Sequence, residues 1–214
     1  ALQKYKDLLS LHLDQGKTFR DDKVKAVLID IVNLTRELGL CNIAFLLIAR
    51  SLDVYPDDPV LLTNLMLLLG SNTFSIQYTD LTSFLKPQIE SYIDTVDIYV
   101  RLQILFALAM NEVHKNKSSP ALHFFDRAFD CAHQIISSNS PHSEKARNLL
   151  TVHSWNAGCM ILKSQNYERG WKLFEYGLQT PCHGKQRWQR SLSKPFSSSQ
   201  LALWRGESLK NKSL

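Results

Sequence analysis

The side chains that most often do chemistry are scattered through this sequence without a shared arrangement. Its 214 residues include seven histidines and four cysteines, Cys41, Cys131, Cys159 and Cys182. No two cysteines form a C-x-x-C pair. Neither His123 with His133 nor Cys182 with His183 has companion ligands at metal spacing. His153 and Cys159 fall on one helical stretch but six residues apart, and so on different faces. The sequence has no Gly-rich phosphate loop, nucleophile elbow or carboxylate pair. It therefore offers no catalytic residue, metal site or cofactor site of its own, and the chemistry left to it is recognition. Amides (Asn33, Asn64, Asn156) and large aromatics (Phe106, Trp155) are the side chains best suited to that.

Charge separates the chain into two parts. The formal net charge is +5, but it is carried by the end of the chain. From Gly184 onward seven basic residues (Lys185, Arg187, Arg190, Lys194, Arg205, Lys210 and Lys212) face one acid, Glu207. The rest of the chain is close to neutral. A basic arm can bind nucleic acid through phosphate contacts, with steep salt dependence, and that reading is kept as an alternative. No apolar run approaches the roughly 20 residues of a membrane span, and the N-terminus does not read as a secretory signal. Four unpaired cysteines in a chain long enough to build its own core fit free thiols in a cytoplasmic protein.

The elements that must position any recognition surface are helices. Apolar residues recur at helical spacing over about 2–14, 21–37, 41–54, 58–69, 79–93, 96–115, 119–136, 142–164 and 167–179. Asp58-Pro59, Ser119-Pro120 and Ser140-Pro141 read as helix starts, with Pro in the first turn after a polar cap. Small residues recur where paired helices would cross: Ala157-Gly158 against Gly170 and Gly177, then Ala109 against Ala121 and Ala128, then Ala44 and Ser51. Large apolar residues (Phe174, Phe125, Ile48) sit at one offset between them. The chain is thus expected to be all-α, with helical repeats over residues 1–181 and an irregular basic, aromatic-containing linker over 182–214.

These residues resemble the tetratricopeptide repeat (TPR), a helix-turn-helix unit of about 34 residues that stacks into an α-α superhelix. The units starting near Thr151 and Leu102 carry the small and aromatic positions of that pattern. The second has Glu112 where an aromatic is usual. The unit near Lys25 has Val32 at a tight position. The unit near Pro59 departs most, with Met66 at that position and Pro87 interrupting its second helix. The resemblance implies a concave groove lined by the first helix of each unit. Register then assigns to the groove Asn33 and Arg36, Thr63 and Asn64, Gln103, Phe106 and Met110, and Val152, Trp155, Asn156, Cys159 and Lys163. Asn64 and Asn156 share one repeat position. There an amide both donates to and accepts from an extended peptide backbone, as in the repeat arm of the O-linked N-acetylglucosamine transferases, which this pattern resembles. Trp171 is expected to be a packing residue.

A second resemblance covers the end of the chain. Tyr167-Glu-Arg-Gly170-Trp171-x-x-Phe174-Glu175, followed by Arg187-Trp188, Lys194-Pro195-Phe196 and Trp204-Arg-Gly206-Glu207-Ser-Leu209, looks like the hinge of bacterial proteins that join such repeats to a heptosyltransferase-like glycosyltransferase domain. Asn211 stands where that pattern prefers Gly. The resemblance implies that Leu214 lies at the opening strand of a catalytic domain. The chain would then be the non-catalytic recognition arm of a larger glycosyltransferase-like protein. Its partners would be a protein or peptide in the groove and the parent's own C-terminal domain, with no membrane. An uncapped last helix pair leaves room for a homodimer. A part in the transferase's catalytic unit is the other alternative.

Overall fold

The computed structural model describes residues 2–69, 79–115 and 117–181. Every described element is a helix: α1 (Leu2–Asp14), α2 (Asp22–Glu37), α3 (Cys41–Leu52), α4 (Pro59–Leu69), α5 (Thr79–Ser91), α6 (Ile98–His114), α7 (Ser118–Ser137), α8 (Ser143–Lys163) and α9 (Tyr167–Gln179). Each end lies within two residues of the stretch read from periodicity. The expected 182–214 linker lies outside the described residues.

Local chemistry explains most of these boundaries. Asp58 caps α4 by accepting from the Val60 and Leu61 amides at 3.0 Å, leaving Pro59 at the first helical position. Asp21 and Asp97 cap α2 and α6 in the same way. Ser119 is not a cap. Helix α7 starts a residue earlier, at Ser118, after Lys117, which makes no side-chain capping bond. Ser140 lies before α8, accepting from the His142 amide at 3.2 Å. Helix α2 closes on Gly39 at φ 73. There the Leu40 amide reaches Thr35 and the Gly39 amide reaches Arg36, a Schellman closure that suits glycine's tolerance of positive φ. Pro87 does not break its segment. Helix α5 runs through it to Ser91.

Each helix packs on its successor, and α2, α4, α6 and α8 also touch one another in turn. The main core fills the space among α4–α8, with Met66, Leu102, Leu105, Leu108, Phe125 and Ile135 fully buried. Val32, Cys41, Ala44, Ile48 and Leu68 form a second cluster that joins α2, α3 and α4. Val32 is fully buried there. Glu112 is 2% exposed and pairs at 2.7 Å with Lys86 from α5. Lys86 also lies 3.7 Å from Glu90 and over the Phe124 ring. A charge can occupy this core position because a cation reaches it from the neighbouring helix.

The closest approach is between α8 and α9. A methyl group at Gly158 would lie 2.5 Å from the Phe174 amide nitrogen, and one at Gly177 would lie 2.5 Å from that of Trp155. Gly170 meets the Leu162 side chain at 2.8 Å. At Gly158 and Gly177 the obstacle is mainly backbone, which cannot rotate aside.

Two outcomes follow for unfolding by urea or heat. Gly158→Ala and Gly177→Ala each lower stability by about 2 kcal/mol, although alanine raises helix propensity by up to about 1 kcal/mol. Unchanged or raised stability would mean that the two helices are not in this contact. Lys86→Met costs about 3 kcal/mol by stranding the Glu112 carboxylate, whereas Glu90→Ala, at the exposed end of the same cluster, stays within about 0.5 kcal/mol.

Candidate functional site

The faces of α2, α4, α6 and α8 that look toward one another leave a recess of about 140 Å³. Helix α2 contributes Asn33 and Arg36, one turn apart. Thr63 and Asn64 project from α4, Gln103 and Phe106 from α6, and Leu149 and His153 from α8. Val60, Leu67, Val100 and Ile104 supply the apolar wall. The recess thus combines one guanidinium, three carboxamides, a hydroxyl and an imidazole with an apolar wall. That mixture suits a peptide or a small amphipathic group.

Some of this polarity is already committed. The Thr63 hydroxyl donates to the Pro59 carbonyl at 2.6 Å and the Asn64 amide donates to Val60 at 3.0 Å. Both side chains fold back on their own helix, and both are nearly buried. Asn64 therefore presents a wall to the recess and not a free pair of amide donors. Phe106 is 2% exposed and forms the floor. Its ring stacks on His153 with centroids 4.0 Å apart and 14° between planes, and it meets Phe125 and Phe129 at tilted and edge-on angles.

His153 is the electrostatic centre of the site. Its ring is partly buried, and the Nδ1 atom is buried with no hydrogen-bond partner. Burial, aided by the Arg36 charge, pushes its pKa down from 6.5 to about 3. The imidazole is accordingly neutral at physiological pH. Its orphan nitrogen is the kind of buried polar atom that a ligand can satisfy.

The structure brings six of the expected groove residues into the recess: Asn33, Arg36, Thr63, Asn64, Gln103 and Phe106. Met110 and Asn156 meet each other instead, the Asn156 amide lying 3.6 Å from the Met110 sulfur. Val152, Trp155, Cys159 and Lys163 do not line the recess. Trp155 turns toward α9, its ring 5.8 Å from that of Phe174. Trp171, expected to pack, is 54% exposed and touches Phe174 only edge-on. Leu149 lies before the repeat register, which starts at Thr151, and His153 falls at a register position that is not assigned to the groove. The spacing of Leu149, His153 and Asn156 could have revealed that face.

Among the described residues no group of three or more His, Cys, Asp or Glu is placed to hold a metal ion. No disulfide joins Cys41, Cys131 and Cys159. No described helix is long and apolar enough to cross a membrane. Comparisons with protein-family models, curated proteins and solved structures give no match.

Burial of His153 fixes the sign of a pH effect. The unfolded chain takes up a proton below about pH 6.5, whereas the folded chain resists it down to about 3. This contribution is fully present above pH 6.5 and is lost as the pH falls toward 3. Full burial would give a loss of about 1.4 kcal/mol per pH unit, and the partly open ring gives less. His114 is lowered by burial in the same direction. Urea unfolding at pH 7, 5.5 and 4.5 should show a shallower acid loss for His153→Phe than for the parent chain. Equal slopes would remove His153 from the account.

Proposed function

We propose that the chain is a non-catalytic, TPR-like scaffold that binds a protein or peptide partner, and that it serves as the N-terminal recognition arm of a larger glycosyltransferase-like protein. One observation carries the binding role. Side chains from four helices spaced along the chain, at Arg36, Asn64, Gln103 and His153, converge on one recess. A packed core has no need of such an arrangement, and an interface does.

The superhelical reading is supported by the order of packing. Helices α2, α4, α6 and α8 make a continuous inner row, while the odd-numbered helices meet mainly their neighbours in sequence. In a superhelix such a row would form the concave face, with the recess within it. The small residues at the α8–α9 crossing fit the same repeat. The assignment to a transferase arm rests on the resemblance of residues 167–214 alone.

A peptide array probed with the full chain tests the binding role. Filling the recess with Gln103→Trp should weaken the selected peptides by about tenfold or more while leaving the melting temperature nearly unchanged. Peptides that bind the filled variant as well as the parent would place the interaction elsewhere. The transferase assignment is checked separately, by reading the gene beyond Leu214 for an opening strand followed by a nucleotide-sugar domain.

A further inference from the structure

A second cavity, of about 280 Å³, lies at the opposite end of the helix row, between α1 and α3. Its wall is carbon: Leu9 of α1, Phe19 of the following turn, Leu28 of α2, Leu47 of α3, and Val54 and Tyr55 after α3. Helix α1 packs on α2, and the gap it leaves over α3 is the cavity.

The polar atoms around it are already matched. The Ser51 hydroxyl donates to the Leu47 carbonyl at 2.8 Å, and the Tyr55 hydroxyl donates to the Phe19 carbonyl. Arg50, which borders the cavity, lies 3.6 Å from Asp53. Lys25 lies over the Tyr55 ring and 2.9 Å from Asp58. The surface that faces the space is nonetheless almost wholly apolar, so a charged or strongly polar occupant would lose hydration with little compensation. The cavity opens to solvent beside Phe19, which is 49% exposed. An enclosed apolar void of about 150 Å³ already admits benzene, and the volume here is nearly twice that.

We propose that the cavity binds an uncharged, carbon-rich small molecule with about the bulk of a fused two-ring aromatic. Bound there, the molecule bridges α1 and α3 and ties the first helix to the rest of the row. The site is independent of the recess and of any peptide it takes.

The test uses the full 214-residue chain and indole as the probe, with indole-3-carboxylate as its charged counterpart. Titration with indole is expected to shift the methyl resonances of Leu28, Leu47 and Val54 and to raise the melting temperature. The carboxylate should bind more weakly by about tenfold or more. Leu47→Phe, which fills the cavity, should weaken indole by a similar factor. Should that variant lose its helical circular dichroism, Val54→Met fills the same space from a turn. Methyl signals unmoved up to the solubility of indole, or equal affinity in the filled variant, would overturn the proposal. So would a dimer in light scattering that dissociates on filling, because the cleft would then belong to a second copy.

Discussion

Helices α8 and α9 approach so closely that the backbone of each occupies the place where the other would carry a β-carbon. Gly158 and Gly177 make that contact possible from opposite sides, and the consequences spread along the row. With α9 seated in this way, one flank of α8 is covered, and Trp155 is drawn to that flank beside Phe174. Helix α8 therefore turns a different face, that of Leu149 and His153, toward α6 and the recess. A bulkier crossing would move α9 outward and free α8 to rotate. Both the recess-lining side chains of α8 and the ring stack on Phe106 depend on α8 keeping its present rotation.

The recess exists at some expense to the core beneath it. Phe106 reaches it from a cluster that includes Phe125 and Phe129, and His153 lies flat on that cluster with an unpaired nitrogen. A leucine at position 153 would pack there without a desolvation penalty. The neutral imidazole keeps a polar atom in an apolar setting, and Arg36 across the recess makes its protonation still harder. Polarity retained where packing does not ask for it is the usual mark of a surface shaped for a ligand. The Glu112–Lys86 pair shows the opposite case, in which a buried charge is answered inside the protein and asks nothing of a partner.

Much of the helical order was legible in the sequence because it rests on local rules. Apolar spacing, the Asp58-Pro59 start and the small residues at 158, 170 and 177 each depend on only a few neighbouring positions. The α7 start was misread because Ser119-Pro120 satisfies the capping pattern one residue inside the real helix, where proline is still tolerated in the first turn. Pro87 was read as an interruption, yet the packing of Leu85 and Ile89 on the core outweighs the hydrogen bond it removes. The candidate site was only half legible. Register brings Asn33, Arg36, Thr63, Asn64, Gln103 and Phe106 to one recess. The α8 contribution was shifted, because a fixed repeat length cannot foresee a 21-residue helix. Burial of Asn64 and neutrality of His153 were not legible at all, since both arise from neighbours on other helices.

The recess is assembled from distant parts of the chain, and that follows from the order of packing. The side chains that line the recess come from four helices, each separated from the next by an intervening helix that packs behind the row. None of the four segments presents more than two of the polar groups by itself. A ligand that bridges Arg36 and His153 must therefore hold α2 and α8 at their present separation, so its binding energy is also energy for keeping the row in register. The same reasoning explains why the ends of the row matter to its middle. Looser packing at the α8–α9 crossing would let α8 shift against α6, and with it the Leu149 and His153 wall of the recess. Selectivity for a partner would then reside in the curvature of the whole row as much as in any one side chain.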